Sequence, residues 1–225
     1  MGHLVFDIET VGVDWETLDE ATRDYLLKFA ETEEEQQEVR EKVGLYPLTG
    51  EIVAIGLHDP EQDIQSVFFQ APESELPEHY EEEGVHYFVG DEQKILDKFW
   101  ASIRKYKTYV TFNGREFDNP YIMLRSAANR VSCQRNLVPY RFSVAEHIDL
   151  LDQLTFYRAT RKFTMDYYCK RFGITSPKEE GVTGLDVPQL YKNGDYQKIA
   201  EYCMRDVLAT SELFQMWQKY IRTDR

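Results

Sequence analysis

The sequence predicts an α/β protein with a central mixed β-sheet flanked by α-helices. Along the 225 residues, short apolar segments indicate strands, and longer segments with apolar residues three or four apart indicate helices. Their order is strand, polar insertion, hairpin, helix, strand, helix, strand and further helices, which is typical of a mixed sheet with helices packed against it. A chain of this length fits a single domain, so we expect one domain over residues 1–225.

Five segments are predicted as strands: residues 4–8, 51–58, 64–70, 108–112 and 147–151. The turn-forming stretch DPEQD separates the second segment from the third and predicts a hairpin. Asn113-Gly114 is a turn signal that ends the fourth segment. A further short strand is expected at residues 86–89, within a connection rich in Pro and Glu.

Helices are predicted between and after these strands. Residues 15–43 contain no Gly or Pro and predict one or two polar helices, which form a helical insertion at residues 14–47. Residues 91–105 are expected to form a helix with Asp91 as its N-cap. Residues 121–129 are expected to form another, with Pro120 in its first position. After residue 151 we expect mostly helical structure.

The net charge of −14 comes from two acidic segments. Residues 14–43 carry 11 acidic and 4 basic residues, and residues 72–92 carry 8 acidic residues and no Lys or Arg. The second of these predicts an acidic loop at residues 71–90. Phosphate binding favours basic surfaces, but the rest of the chain is close to neutral, so the net charge does not exclude a nucleic acid ligand.

Residues 158–178 form a basic segment with six Lys or Arg and one acid, Asp166. Five aromatic residues lie among or beside these bases: Tyr157, Phe163, Tyr167, Tyr168 and Phe172. Such a segment could grip a single nucleic acid strand by charge and by stacking of the bases. An ordinary amphipathic helix with a solvated basic face has the same pattern, and the sequence leaves both interpretations open.

The composition also bears on the compartment. No stretch reaches about 18 apolar residues, so we expect no membrane span. The N-terminus lacks the basic and apolar regions of a signal peptide. The three cysteines, Cys133, Cys169 and Cys203, have no CxxC pairing. These features predict a cytoplasmic protein with reduced thiols and no membrane partner.

The stretch LVFDIET at residues 4–10 places two acids in an apolar strand. Side chains two residues apart point to one side of a strand, so Asp7 and Glu9 would stand next to each other. Because burial of unpaired charges is unfavourable, a cation between them would explain the pattern, which makes this a candidate metal site. The alternative is that the strand ends at Phe6 and the acids are solvated or pair with Lys and Arg.

Two later stretches supply further acids. In VTFNGREFDNPYI, residues 110–122, Asp118 precedes the predicted helix, where Asn119 is a candidate cap. An acid there also interacts favourably with the helix N-terminus. In AEYCMRDVLATSELF, residues 200–214, Tyr202 and Asp206 are four residues apart and share a helix face. Each pattern alone is also typical of a helix terminus or an exposed pair.

In combination these stretches resemble a known family. FDIET, then FNGREFDNPYI about 110 residues later, then Tyr-x-x-x-Asp in a late helix resemble the DEDD superfamily of 3′–5′ exonucleases. Tyr202, where other members have His, resembles the DEDDy branch. The chain looks most like stand-alone bacterial proteins similar to the exonuclease domain of family B DNA polymerases. Further matching stretches are TGEIVAIGL at 49–57, HIDLLDQL at 147–154 and residues 181–210.

The DEDDh branch of the same superfamily is the competing assignment. It has His-x4-Asp, and His147 with Asp152 fits that spacing. This pair straddles the predicted last strand, however, before the late helices where the third motif belongs. The residue five positions before Asp206 is Glu201 rather than His, so we favour the tyrosine branch.

The resemblance implies a ribonuclease H-like fold in a single exonuclease domain. It also implies that Asp7, Glu9, Asp118 and Asp206 hold two divalent ions, Mg²⁺ or Mn²⁺. Tyr202 would orient the attacking water, which makes these five the expected catalytic residues. Mg²⁺ prefers oxygen ligands, and two ions can stabilise both the attacking and the leaving oxygens of a phosphoryl displacement.

The implied reaction is hydrolysis of phosphodiester bonds from the 3′ end of single-stranded DNA, which releases nucleoside 5′-monophosphates. The implied partners are single-stranded nucleic acid, with DNA favoured over RNA, and a replication or repair protein that the sequence does not identify. One alternative is a 3′–5′ exoribonuclease of the same fold, because the motifs do not reveal how the 2′-OH is read. Another is a catalytically silent binding module, which would most often have lost one of the acids.

Four residues are candidates for substrate binding. By resemblance, Thr10 lies near the terminal nucleotide. Phe112 and Asn113, at the exit of a strand, could contact a base or the scissile bond, although a turn explains Asn113 equally well. Lys162 in the basic segment is the fourth candidate. We expect a structural role for Asp149.

Overall fold

The computed structural model describes residues 2–178 and 181–223. Within these residues, seven strands form one mixed sheet in the order β4-β5-β3-β2-β1-β6-β7. The strands are β1 (His3–Gly12), β2 (Gly50–Asp59), β3 (Ile64–Phe69), β4 (His79–Glu82), β5 (Val85–Val89), β6 (Thr108–Thr111) and β7 (His147–Asp149). β1 pairs antiparallel with β2 and parallel with β6, which places it inside the sheet. The predicted hairpin of β2 and β3 is confirmed.

Helices cover both faces of this sheet, so the predicted α/β class with a mixed sheet is confirmed. They are α1 (Glu20–Leu27), α2 (Glu33–Glu41), α3 (Glu92–Ile103), α4 (Asp118–Ala128), α5 (Leu150–Leu154), α6 (Met165–Phe172), α7 (Val187–Asn193) and α8 (Tyr196–Tyr220). Two 3₁₀ turns, Trp15–Thr17 and Val43–Leu45, flank α1 and α2. Among the helices described, none combines the length and the apolar composition that a membrane span needs. The three cysteines are free thiols, as predicted.

Alternation along β1 sends its side chains into two layers of the core. Leu4, Phe6 and Ile8 join the apolar cluster formed by α3 and α4. Val5, on the opposite face, joins the cluster formed by α8. Because side chains two residues apart share a face, Asp7 and Glu9 follow Val5 toward α8. The strand that anchors both core layers therefore presents its two acids to the longest helix.

A glycine in β2 lets α8 approach the sheet closely. Gly56 is paired with Asp7 of β1. A Cβ atom at this position would lie 2.8 Å from Cγ2 of Val207 and 3.1 Å from Sγ of Cys203, both on α8. The absence of a side chain therefore permits the helix to lie directly over Asp7.

The predicted helical insertion contains α1 and α2, which pack against each other. Its end is fastened to the body through the carbonyl of Gly44, which accepts hydrogen bonds from Thr10 Oγ1 and from the Tyr121 hydroxyl, each at 2.9 Å. A Cβ atom on Gly44 would lie 2.7 Å from the backbone nitrogen of Gly12. The insertion is thus held against the C-terminal end of β1.

Two predicted strand ends near the acids were wrong. β1 continues to Gly12, because its pairing with β2 resumes after a register shift between Glu9 and Thr10. The alternative in which the strand ends at Phe6 is therefore wrong. β7 ends at Asp149 rather than at residue 151, because the Asp149 carboxylate accepts hydrogen bonds from the backbone amides at the start of α5.

The helix predicted from residue 121 begins at Asp118 instead. Asn119 is not its cap, because the Asn119 side-chain amide donates to the carbonyl of Leu137 at 2.7 Å. Phe117 occupies the N-cap position and makes no side-chain capping bond. Pro120 lies in the first turn, where a helix does not need the missing N–H.

The acidic loop predicted at residues 71–90 contains two strands: β5 confirms the short strand expected at residues 86–89, and β4 was not predicted. β4 and β5 pair antiparallel, and β5 pairs with β3, so they extend one edge of the sheet. Cross-strand rings stabilise this hairpin: His79 stacks on Phe88 at 4.3 Å and Tyr80 on Tyr87 at 5.0 Å between ring centroids. Composition suggested a loop because these rings are scattered among glutamates.

The close approach at Gly56 predicts a specific sensitivity. We expect Gly56→Ala to lower the free energy of unfolding by about 1–3 kcal/mol, as overpacking of a filled core does, because the new methyl group meets Val207 and Cys203. Urea denaturation measures this loss. Gly184→Ala is the matched control, since a Cβ atom there has no neighbour within 4 Å. Equal stability of the two variants would contradict the proposed packing.

Candidate active site

β1 supplies the first two acids of the site. Glu9 is buried and Asp7 is half-buried, both on the face of the sheet that α8 covers. The register shift between β1 and β2 falls directly after Glu9. Strand irregularities of this kind re-aim side chains and are common next to active sites. Beyond it, Thr10 is turned toward the insertion and donates to the carbonyl of Gly44.

The turn after β6 brings Asp118 to β1. Asp118 is the first residue of α4 and is buried. Its Oδ1 accepts a hydrogen bond from the backbone amide of Ile8 at 3.1 Å. Ile8 lies between Asp7 and Glu9 in the sequence, so this bond fixes the third acid beside the first two.

Asp149 holds the turn that leads to Asp118. Its carboxylate accepts hydrogen bonds from four backbone amides, those of Asn113, Arg115, Leu151 and Asp152. Asn113 has a left-handed backbone (φ 65°), and a Cβ atom on Gly114 would lie 2.4 Å from Thr111 Oγ1. The turn is therefore tightly specified, and the structural role expected for Asp149 agrees with these contacts.

α8 supplies the fourth acid and the tyrosine. Tyr202 and Asp206 are one helical turn apart, both are buried, and the tyrosine hydroxyl lies close enough to the Asp206 carboxylate to act on its pKa. The charge of Asp206 raises the pKa of Glu9, and the charge of Glu9 raises the pKa of Tyr202, so both side chains lie close to Glu9. The structure therefore brings Asp7, Glu9, Asp118, Tyr202 and Asp206 into one cluster.

Electrostatics within this cluster favour protonation of the acids. Burial, and then the charges of Asp118, Asp206 and Glu9, raise the pKa of Asp7 well above its usual value. Burial, and then the charges of Asp206 and Asp118, raise the pKa of Glu9 well above its usual value. Burial raises the pKa of Asp118 to about 7 and that of Asp206 to about 6. At neutral pH a divalent cation that binds to these groups would displace their remaining protons into solvent.

The donor set suits a hard divalent cation. The four carboxylates repel one another, and carboxylate oxygens are the ligands that Mg²⁺ and Mn²⁺ prefer. The positive groups that act on Asp206 are the side chains of Lys178 and Arg205. Such a cluster fits the metal ions expected from the sequence, with Asp7, Glu9, Asp118 and Asp206 as the candidate ligands.

Cys203 is a member of the site that sequence reasoning missed. Its Sγ and one carboxylate oxygen each of Asp7 and Glu9 lie within 4.8 Å of one another. The thiol is buried and donates to the Asp7 carbonyl at 3.6 Å. Its spacing of three residues from Asp206 on α8 would have placed both on one helix face, but a lone cysteine next to a tyrosine gave no reason to apply that rule.

The residues of the competing histidine motif are engaged in other contacts. His147 is buried, shares a hydrogen bond with Thr111 Oγ1 at 2.8 Å and stacks on Tyr109. Burial lowers the pKa of His147 to about 3, so it stays neutral. Asp152 forms a two-point ion pair with Arg141. These contacts give both residues structural roles in the part of the chain described.

The four substrate-binding candidates lie around the acids in different settings. Thr10 follows Glu9, and Asn113 lies in the turn before Asp118. Phe112 is partly buried, and its ring lies edge-on to that of Tyr168 at 6.0 Å. Lys162 Nζ donates to Glu116 Oε2 at 2.7 Å, two residues before Asp118. Their binding of substrate stays a prediction.

The raised pKa values predict how pH and metal control stability. An acid whose pKa is higher in the folded protein makes that protein bind more protons than the unfolded chain, so stability falls as pH rises between the two values. For Asp118 this window runs from 3.8 to about 7. In EDTA we expect the melting temperature to fall between about pH 5 and pH 8, and millimolar Mg²⁺ to raise it most at the higher pH.

Calorimetry of Asp118→Asn provides the internal check. This variant is expected to melt higher than the native protein in EDTA at about pH 8, because one buried charge is gone, and to gain less from Mg²⁺. Asp97→Asn, an exposed acid on α3, is the matched control and should behave like the native protein. A melting temperature indifferent to Mg²⁺ at both pH values would rule out a metal site among these acids.

Comparisons with known proteins agree with this geometry. Residues 78–223 match a family described as a predicted 3′–5′ exonuclease related to the exonuclease domain of PolB. The match includes Asp118, Tyr202 and Asp206, while Asp7 and Glu9 lie before it. DNA polymerase 1 of Sulfolobus acidocaldarius is 29% identical over 141 residues, which cover 58% of this chain and 16% of the polymerase.

A solved structure matches almost the whole chain. The family B DNA polymerase from the hyperthermophilic archaeon Pyrobaculum calidifontis superposes with a TM-score of 0.62 and 17% sequence identity, over 96% of this chain and 24% of that one. This match confirms the predicted ribonuclease H-like fold. Because the family match covers more than half of the chain, the protein belongs to the predicted 3′–5′ exonucleases related to the exonuclease domain of PolB.

Proposed function

We propose that this protein is a metal-dependent 3′–5′ exonuclease that hydrolyses single-stranded DNA and releases nucleoside 5′-monophosphates. The observation that carries the proposal is the convergence of four carboxylates from β1, α4 and α8, close enough to raise one another's pKa. A fold needs no such repulsion for its stability, and a cation-dependent reaction explains it. The family to which the chain belongs is consistent with this activity.

Asp7, Glu9, Asp118 and Asp206 would hold two divalent ions, Mg²⁺ or Mn²⁺. When bound, the ions would supply the Lewis acidity that activates water and stabilises the departing 3′ oxygen. The protein's part is to keep the ligands in place before substrate arrives. The Ile8 amide fixes Asp118, and the packing of α8 on Gly56 fixes Asp206 relative to Asp7.

Tyr202 would orient the attacking water with its hydroxyl. Burial, and then the charges of Asp206 and Glu9, raise the pKa of this phenol above its usual value. Tyr202 therefore stays protonated at neutral pH and acts as a hydrogen-bond donor rather than as a general base. Burial of Tyr202 beside Asp206 on α8 holds the ring in position before substrate binds.

DNA is the favoured substrate because both relatives compared with the chain are DNA polymerases. The chain spans only 16% of one and 24% of the other, so their polymerase activity is not carried over. A 3′–5′ exoribonuclease remains the second candidate, since an RNA would place the same phosphodiester at the same acids. A replication or repair protein would be the partner of a proofreading role.

Two substitutions on α8 distinguish the proposed metal ligand, Asp206, from the residue proposed to orient the attacking water, Tyr202. Asp206→Asn is expected to lower kcat by about a thousandfold or more, because it removes several kcal/mol of metal-dependent stabilisation of the transition state. It should also reduce the rise in melting temperature with Mg²⁺. Tyr202→Phe is expected to lower kcat by about 10–100-fold, the equivalent of one strong hydrogen bond, and to keep that rise. Release of mononucleotide from single-stranded DNA measures kcat.

Two substitutions elsewhere on α8 serve as controls. Glu212→Gln removes an exposed carboxylate, and Tyr196→Phe removes a phenol outside the cluster. Both variants should retain the native rate and the native response to Mg²⁺. If Asp206→Asn cleaves as fast as Glu212→Gln, the assignment of Asp206 as a ligand is wrong.

A further inference from the structure

A group of aromatic rings extends from the end of β6 to α6 and the residue before its N-cap. We call it the aromatic ridge, and its members are Phe112, Phe163, Tyr167, Tyr168 and Phe172. Phe163 stacks on Tyr167 with 4.5 Å between ring centroids and 15° between ring planes. Tyr168 contacts Phe163, Phe172 and Phe112 edge-on or tilted. The outer pair is accessible to a ligand, with 37% of Phe163 and 46% of Tyr167 exposed.

The aromatic ridge is attached to the site at two points. Thr210 Oγ1, one helical turn beyond Asp206 on α8, donates to Met165 Sδ at 3.2 Å, and Met165 begins α6. At the other point, Phe112 directly follows β6, at the start of the turn before Asp118, and contacts Tyr168. The rings therefore continue outward from the acids rather than forming a separate surface.

Basic side chains accompany the rings, and most of them do not lie on a helix. Arg158, Arg161 and Lys162 precede α6, and the Arg161 guanidinium lies 5.3 Å from the centroid of the Phe163 ring. This placement excludes a simple solvated helix face as the explanation of the basic pattern. Guanidinium groups and aromatic rings both stack on nucleic acid bases.

A turn with an unusual backbone holds Arg158 and Lys162 beside the acids. Phe156, Tyr157 and Arg158 all have left-handed backbones, with φ of 50°, 57° and 72°, which side chains other than Gly rarely adopt. The turn lets Arg158 and Lys162 form ion pairs with Glu116, two residues before Asp118. Conformations of this kind cluster at functional sites.

The segments that surround the acids carry opposite charges. Residues 158–178 carry six Lys or Arg and one acid, whereas residues 14–43, fastened near Thr10, carry 11 acids and 4 bases. The one acid of the basic segment, Asp166, is paired with Lys170 and bonded to Ser176. A polyanion at the site is thus attracted toward the ridge and repelled by the insertion.

We propose that the aromatic ridge binds the nucleotides on the 5′ side of the terminal 3′ nucleotide. Their nucleobases would stack on Phe163 and Tyr167, and the neighbouring Lys and Arg side chains would contact their phosphates. This inference rests on the proposed function, because it assumes a 3′ end at the acids. It identifies the ligand as single-stranded DNA several nucleotides long, since a duplex hides the faces of its bases. Lys162 would act as one of the phosphate contacts.

The test compares two pairs of exposed rings with opposite surroundings. Fluorescence anisotropy measures the affinity of a labelled oligothymidylate of about 12 nucleotides, in EDTA so that the strand stays intact. We expect Phe163→Ala/Tyr167→Ala to weaken binding about tenfold or more, the usual effect of losing a stacked base. Tyr25→Ala/Phe29→Ala removes the same two ring types, 75% and 84% exposed, from the acidic insertion, and should leave affinity unchanged.

Kinetics with Mg²⁺ separate this inference from the proposed function. The ridge variant should raise KM for the oligothymidylate far more than for the p-nitrophenyl ester of thymidine 5′-monophosphate, which has no nucleotide on the 5′ side of its single nucleotide. Native affinity in the ridge variant, or an equal loss in the insertion variant, would overturn the inference while hydrolysis stands. A ridge-dependent affinity in a protein that hydrolyses neither substrate would keep the ridge as a binding surface and refute the exonuclease.

Discussion

The repulsion among four buried or half-buried carboxylates is the constraint on which the rest of this structure depends. Asp7 and Glu9 lie on β1, Asp118 lies on α4 and Asp206 lies on α8, so the four acids come from elements that are far apart in the sequence. Apolar packing on both faces of β1 forces them together, because α3 and α4 fill one face and α8 fills the other. Gly56 sets the distance of closest approach. Bound cations would turn this destabilising arrangement into a stabilising one.

Much of the site follows from simple periodicities in the sequence. Alternation along β1 correctly placed Asp7 and Glu9 on one face, and the four-residue spacing correctly placed Tyr202 and Asp206 together. These patterns are local, so they survive any tertiary arrangement. The convergence of the two pairs with Asp118 depended on the family resemblance, because no local rule specifies which elements meet.

The features that sequence reasoning missed depend on contacts distant in the chain. Asn119 resembled a cap, but its amide is used by the carbonyl of Leu137, so α4 starts a turn early. The glutamates at residues 71–90 hid a hairpin that is stabilised by ring stacking across strands. Cys203 gave no sequence signal, yet its sulfur lies among the carboxylates of Asp7 and Glu9. Each of these depends on a partner that is far away in sequence.

Charge and shape together give the molecule a polarity around its acids. The acidic insertion is held at the end of β1 through Gly44, and the basic residues are held beside Asp118 through Glu116. A single strand would therefore meet attraction on one side of the site and repulsion on the other. In this arrangement the net charge of −14 is compatible with a nucleic acid substrate, because local charge rather than total charge acts on the strand within a Debye length.

The most direct measurement of the central claim is the cleavage pattern of single-stranded DNA labelled at its 5′ end, with a matching RNA alongside. With Mg²⁺ or Mn²⁺, the native protein should produce a ladder that shortens from the 3′ end and should release 5′-mononucleotides, more readily from DNA. EDTA or Asp7→Ala should abolish it. Intact strands under every condition, or a ladder that persists in Asp7→Ala, would contradict a metal-dependent exonuclease at these acids.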